Sequence, residues 1–319
     1  MPCYVSPVRP DRARADGESF QHVAVPYDSD ASLLGLVAPR VRAALGEGRH
    51  VLVITSRLPQ LAEALGPDAD RVETRPPASW YAHPFRMLAA CHDYTRGRRT
   101  LVVGEPVWQG RSAREIGELI RCESVLNAAL RPATATLLCL YDVRATPRDV
   151  ADSCPVNHPV LLGPDGEVPS ARYVEPYELV LPHDRAPLPP PPADAVTIGF
   201  AGPGLRRARQ AVAAYARVLG MDADRVTSLV ISVSEIAANS IEHGAGHGVI
   251  TLWRAGGELV CEITEPGGAL DDPLPGCIPP EPASLRGYGL WISRQLCDLV
   301  ELRSGGGALR VRLRLSLGP

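Results

Sequence analysis

Four consecutive prolines at 189–192 close a proline-rich segment that begins at Pro182. Each proline lacks an amide donor and fixes its own φ, so the segment cannot be helix. It reads as a stiff, extended linker. The 319-residue chain is long enough to bury two cores, and this segment says where it divides. The expected organisation is a flexible tail at 1–19, a first domain at 20–181, a linker at 182–195 and a second domain at 196–316.

The two halves differ in pattern. In the first, continuous apolar runs at 22–26, 51–54, 101–103 and 136–141 are separated by segments of helical periodicity at 32–45, 60–65 and 113–130. Strands without alternation, interleaved with helices, predict a parallel sheet covered on both faces, an α/β domain. The second half has two long helices, 205–219 and 223–242, before strands that alternate apolar and polar residues. Segments 248–254 and 258–264 flank Gly256-Gly257 as a hairpin. A glycine- and proline-rich stretch, 266–282, leads to a helix at 285–297 and to strands at 299–303 and 308–315. Helices first and antiparallel strands after predict an α+β sandwich with helices on one face.

Composition excludes several functions. The 33 basic residues counted as Lys+Arg are all arginine. A Walker-type phosphate loop, a eukaryotic-type kinase strand and Schiff-base chemistry each need a lysine, so none is available. The net charge of −3 argues against a direct nucleic-acid or anionic-membrane partner. No apolar run approaches the ~20 residues that span a bilayer, and the polar start does not resemble a signal peptide, so a cytoplasmic location is expected. The eight cysteines form no Cys-x-x-Cys pair. Cys154 and His158 are four apart, with Pro155 between them and no second ligand pair nearby, and read as a loop coincidence. Cys139 and Cys261 lie in apolar runs and read as buried thiols.

The strongest local signal is the row Glu235, Asn239, His243. Steps of four put all three on nearly one helix face, ahead of Gly244 as a stop. A polar row is usually a solvated face, but two later elements change that. Thr264-Glu265-Pro266-Gly267-Gly268 ends a strand on an acid followed by glycines, and Arg286-Gly287-Tyr288-Gly289-Leu290 opens a helix with Gly-x-Gly. Glycines admit a close backbone approach to a phosphate, and a helix N-terminus offers it amide donors.

In this order the three elements resemble the boxes of the GHKL (Bergerat-fold, HATPase) ATP-binding family. The run 234–244 is similar to its N-box, Glu265-Pro266-Gly267 to its Asp-x-Gly box, and 286–290 to its second glycine box. The short domain is most similar to bacterial anti-sigma factor/serine kinases. The resemblance implies ATP and Mg²⁺ as cofactors. It gives Asn239 the metal and Glu235 the role of general base, with His243 at the phosphate or lid end. Glu265 would meet the adenine amino group, and Gly267 would make room for the base. Gly287 and Gly289 would present amides to the phosphates, with Arg286 as counter-charge. Glu265 stands where the family usually has Asp, and the extra methylene shifts the carboxylate by about 1.5 Å.

The first domain resembles MEDS-type sensory domains in the runs 29–34, 104–108 and 121–127. That resemblance implies a RecA-like α/β fold without the phosphate loop. Ligands of parallel sheets sit beyond the strand carboxyl ends, where Ser56, Glu105 and Asp142 form a candidate sensory site, with Trp108 and His83 nearby. Glu123 and Asn127 repeat the Glu-x-x-x-Asn spacing without glycine boxes and read as a helix face or buried polar cluster.

Together these features predict a transcription regulator in which a sensory domain, answering to a small-molecule signal, controls an ATP-binding anti-sigma domain. Its partners would be a sigma factor or an anti-anti-sigma (STAS-type) protein, whose serine it would phosphorylate. The alternatives are a non-catalytic partner-binding module and a histidine kinase-like ATPase. His92-Asp93 is the only pair resembling a phospho-acceptor, and the proline-rich linker stands where such an enzyme needs a helical hairpin.

Overall fold

A computed structural model describes residues 19–179, 187–268, 272, 274–280 and 287–318. Nearly all of the expected tail, part of the linker and Arg286 lie outside the described residues. The chain divides into two compact units that part between Leu179 and Val180.

The first unit is built on β1 (Gln21–Tyr27), α1 (Asp30–Gly46), β2 (His50–Ile54), α2 (Leu58–Leu65), β3 (Glu73–Thr74), α3 (Pro77–Trp80), α4 (Pro84–Thr95), β4 (Thr100–Gly104), α5 (Ala113–Ala129), β5 (Ala135–Asp142), α6 (Arg148–Asn157), β6 (Val160–Gly163) and β7 (Gly166–Pro169). The sheet order is β3-β2-β4-β5-β1-β6-β7. Every pairing is parallel except that of β6 with β7. Local chemistry starts the helices. The Ser29 side chain caps α1, and Ser112 with Glu115 forms a capping box on α5. On one face of the sheet Val23, Val25, Val51, Val53, Leu138 and Leu140 pack with Val37 and Val41 of α1. Each such buried side chain contributes roughly 1.5–3 kcal/mol.

The four long central strands match the apolar runs of the sequence. The β6–β7 hairpin and helices α4 and α6 have no counterpart in that pattern. Cys154 and His158 are not in a loop: Cys154 lies in α6 and His158 is its C-cap.

The second unit comprises β8 (Val196–Ala201), α7 (Leu205–Val218), α8 (Ala223–Glu242), β9 (His247–Ala255), β10 (Glu258–Pro266), α9 (Tyr288–Leu296), β11 (Leu299–Gly305) and β12 (Ala308–Ser316). Its sheet is antiparallel throughout, in the order β11-β12-β10-β9-β8. The first strand precedes the helices, so the expected order of helices before strands is corrected. The alternation of Val196, Ile198 and Phe200 is the signal for it. Val212, Leu229, Val233 and Ile236 of the helices pack on Ile250, Leu252, Cys261, Val311 and Leu313 of the sheet.

The opposite sheet face is polar and partly covered. Buried Arg312 holds Glu262, its cross-strand partner, at 2.6 Å, and also donates to the carbonyl of Pro189 at 2.6 Å. Its guanidinium lies 5.0 Å from the Trp253 ring centre. Pro189, the first of the four consecutive prolines, is thus tied to a residue pinned to this sheet.

Candidate active site

Helix α8 places Glu235 and Asn239 half-buried on one face, while His243 is exposed at the helix C-cap. Asn239 lines a cleft of about 330 Å³ with Ser240 of the same helix, Glu265 of β10, Leu290 of α9 and Leu309 of β12. The cleft has apolar walls and a few convergent polar groups.

The glycines explain how the backbone closes around this cleft. A β-carbon on Gly289 would stand 2.9 Å from Asn239 Nδ2 and 3.2 Å from the Glu235 β-carbon. Only glycine lets α9 approach α8 so closely at this point. Gly287, at φ 90°, is the left-handed N-cap of α9, and no described side chain caps that end. Amides of a helix's first turn point out from its N-terminus, where an anion can meet them. Gly267, at φ 71°, turns the chain as β10 ends, and its amide donates to Gly307 O at 2.7 Å.

Glu265 is buried at the inner end of the cleft. Its carboxylate accepts from Ser240 Oγ at 2.8 Å and from the Ala245 amide at 3.2 Å. A β-carbon on Gly244 would overlap Glu265 Oε1, at 1.6 Å. Gly244 is therefore more than a helix stop, because it makes the space that the longer acid occupies. Each carboxylate oxygen keeps a lone pair beyond these bonds.

The structure thus brings Asn239 and Glu265 into one cleft and sets Glu235 beside Asn239 under Gly289. His243 is not among the residues lining it; its ring stands 3.9 Å from Glu242. Ser240 and Gly244 also face the site, though the sequence marked Gly244 only as a helix stop and Ser240 not at all. Both lie within the box-like run, one on the inward side of the helix and one at its stop.

In the first unit, Ser56 and Glu105 meet at the carboxyl ends of β2 and β4. Glu105 accepts from Ser56 Oγ at 2.8 Å, the Ser56 amide at 2.9 Å, Thr55 Oγ1 at 2.6 Å and Tyr27 OH at 2.7 Å. Burial alone would raise its pKa, but these hydrogen bonds outweigh it and hold the carboxyl below the usual range. Asp142 ends β5 and is clasped by Arg144 at 2.6 and 2.7 Å, which lowers its pKa; Arg57 stands 3.5 Å away. Trp108 stacks on Tyr141, and His83 caps α4. Neither contacts this cluster through those interactions.

A second polar group was legible only in part: Glu123 with Asn127 as a possible buried polar cluster and Cys139 as a buried thiol, but not their meeting with two histidines. His22, Glu123, Cys139 and His158 are buried together, with one potential ligand atom from each lying within 4.8 Å of the others. Burial, with His158 beside it, pushes the His22 imidazole down to about 4. Glu123 and Asn127 are both buried on α5, as are Glu118 and Ser124 of the same helix.

Comparison with known families places these observations. Residues 21–159 match the model of the methanogen/methylotroph, DcmR sensory domain (MEDS). Residues 204–315 match that of the histidine kinase-like ATPase domain. The chain is a MEDS domain followed by a GHKL-type histidine kinase-like ATPase domain, and the second family implies ATP as ligand. No curated protein matches the chain. Among solved structures, the RsbU and RsbW domains of a Mycobacterium tuberculosis protein are similar at 18% identity and a TM-score of 0.30. The likeness covers 39% of this chain and 32% of that one, so the chain spans about a third of that structure. No described helix is long and apolar enough to cross a membrane.

Proposed function

We propose that this chain is an ATP-dependent anti-sigma regulatory factor whose second domain transfers phosphate to a serine of an anti-anti-sigma protein, under control of the first. The observation that carries this reading is the juxtaposition of Glu235 and Asn239 beneath the glycine-opened N-terminus of α9, with Glu265 in the same cleft.

The residues suit Mg-ATP. A carboxamide oxygen on Asn239 is a hard ligand for Mg²⁺, an ion that usually keeps several waters and so needs few protein donors. Glu265 offers a buried carboxylate to an exocyclic amine. Backbone amides at the N-terminus of α9, from Gly287 on, would offer donors to phosphate oxygens. When bound, Mg-ATP supplies the phosphoryl group. Glu235, one turn before Asn239, is placed to take the proton from a serine hydroxyl, and its carboxylate acts as the general base. With no lysine in the chain, counter-charge to the phosphates falls to the metal, helix amides and arginine, with Arg286 the first candidate.

In the first domain we assign Ser56, Glu105 and Asp142 to the carboxyl-end site at which a small-molecule signal would act. The sensory domain would then bias how the second holds its partner. The test uses radiolabelled ATP, the full chain and candidate anti-anti-sigma proteins. Serine-phosphorylated partner is expected. Binding of a partner without transfer would remove the kinase activity and leave a binding module. Recovery of neither a sigma factor nor a small antagonist from the native host would remove the anti-sigma role.

A further inference from the structure

We propose that His22, Glu123, Cys139 and His158 form a buried transition-metal site of the zinc class in the first domain. The four come from four separate places: His22 from β1, Cys139 from the neighbouring β5, Glu123 from α5 and His158 from the end of α6.

Hydrogen bonds fix which atoms face inward. The Asn127 amide nitrogen donates to Ser124 O at 3.1 Å and to Asn157 O at 2.7 Å, so its oxygen is the atom facing His22 Nδ1, at 3.1 Å. An oxygen acceptor there requires Nδ1 to carry the proton, which leaves a lone pair on His22 Nε2. The same holds for His158: its Nδ1 lies 2.8 Å from the Cys154 carbonyl, which can only accept, so His158 Nε2 also presents a lone pair. An imidazole held at Nδ1 by a carbonyl or amide oxygen is the arrangement that orients metal-ligating histidines.

The inward atoms are then two nitrogen lone pairs, a carboxylate oxygen and a sulfur. His158 Nε2 and Glu123 Oε2, both acceptors, stand 3.5 Å apart, and neither makes a hydrogen bond. His22 Nε2 is 3.6 Å from Glu123 Oε2 and 3.2 Å from Cys139 Sγ. Acceptors crowded together in a sealed interior repel unless a cation lies among them. A tetrahedral ion with bonds of about 2.0–2.3 Å requires its ligand atoms to be about 3.3–3.6 Å apart. Three of the six separations fall on or close to that range, and the others lie within 4.8 Å, so the ligands would draw in around the ion. The Cys139 thiol can donate to His22 Nε2, which leaves His158 Nε2 and Glu123 Oε2 without a proton between them; a metal ion, releasing the thiol proton to solvent, engages all four atoms. Two imidazoles, one carboxylate and one thiol select zinc or its neighbours over magnesium or calcium. Glu123 and Cys139 also line a small cleft with Tyr81, Gly104 and Leu138.

The test is metal analysis of the full chain, followed by chelation and titration with Co²⁺. Expected are about one zinc-class ion per chain as purified and, with Co²⁺, the visible bands of a tetrahedral site together with a thiolate-to-metal charge-transfer band. Cys139→Ser should lose that band. A Cys91→Ala/Cys154→Ala double variant should keep it, which identifies the thiolate even if Cys139→Ser does not fold. Asn127→Ala should weaken Co²⁺ binding by about 10- to 100-fold. A folded wild-type chain that takes up neither metal would overturn the site, and so would loss of the band in the double variant.

Discussion

Two helices of this molecule carry the same spacing, Glu-x-x-x-Asn, and use it differently. On α8, Glu235 and Asn239 are half-buried beside an accessible cleft, with glycine opposite them. On α5, Glu123 and Asn127 are sealed in the interior. There Asn127 has spent its donors on two backbone carbonyls and its acceptor on His22. Four-residue spacing puts two side chains on one face. What that face meets decides whether they serve a ligand or the fold. Opposite α8 the backbone approaches bare, because Gly289 has no side chain. Opposite α5 stand two strands with large side chains and a second helix.

The comparison can be broken most sharply at the glutamates. Glu235→Gln should keep Mg-ATP binding but slow phosphoryl transfer by about 10²- to 10⁴-fold, the usual contribution of a general base. Glu123→Gln should leave the transfer rate unchanged. Quench-flow or radiolabel kinetics on both variants read this directly, and equal effects would erase the distinction.

The asparagines come next. Asn239→Ala should abolish measurable Mg-ATP binding in calorimetry, while unchanged affinity would sink the assignment of the metal position. Asn127→Ala should leave ATP affinity intact but destabilise the first unit by about 1–3 kcal/mol, because buried carbonyls and His22 lose their partner. Denaturant titration measures the second effect.

A smaller effect tests the adenine end. Gly244→Ala forces the Glu265 carboxylate aside and should weaken ATP by about tenfold, equivalent to about 1.4 kcal/mol. An unaltered affinity would mean that Glu265 does not touch the ligand. Smallest is Asp222→Ala, which removes the side-chain cap that accepts from the Asp224 and Arg225 amides. It should cost about 1 kcal/mol of stability in the second unit and leave transfer intact.

Much of this was legible from local pattern. The central parallel strands show as apolar runs because both of their faces are covered. The hairpin shows as alternation because its two faces differ. Helix α8 is readable from end to end, since its cap, periodicity and stop are all local. The residues proposed to hold the nucleotide stood out for a related reason: the polar row and the two glycine boxes are contiguous runs, each with its own backbone logic. Less visible were α6, which carries a proline in its last turns, and β8, whose outer residues are exposed at a sheet edge.

The sequence by itself determined the exclusion of lysine-dependent nucleotide chemistry and the placing of Glu235 and Asn239 on one helix face. Tertiary structure alone decided that Gly244 yields its space to Glu265, that His243 stays out of the cleft, and that His158 joins His22, Glu123 and Cys139. The reason is range. A helix face and a turn are set by neighbours within a few residues, but His22 and His158 lie 136 positions apart. They meet only because β1 lies between β5 and β6, with α5 packed among the neighbouring elements, and no spacing along the chain encodes that pairing.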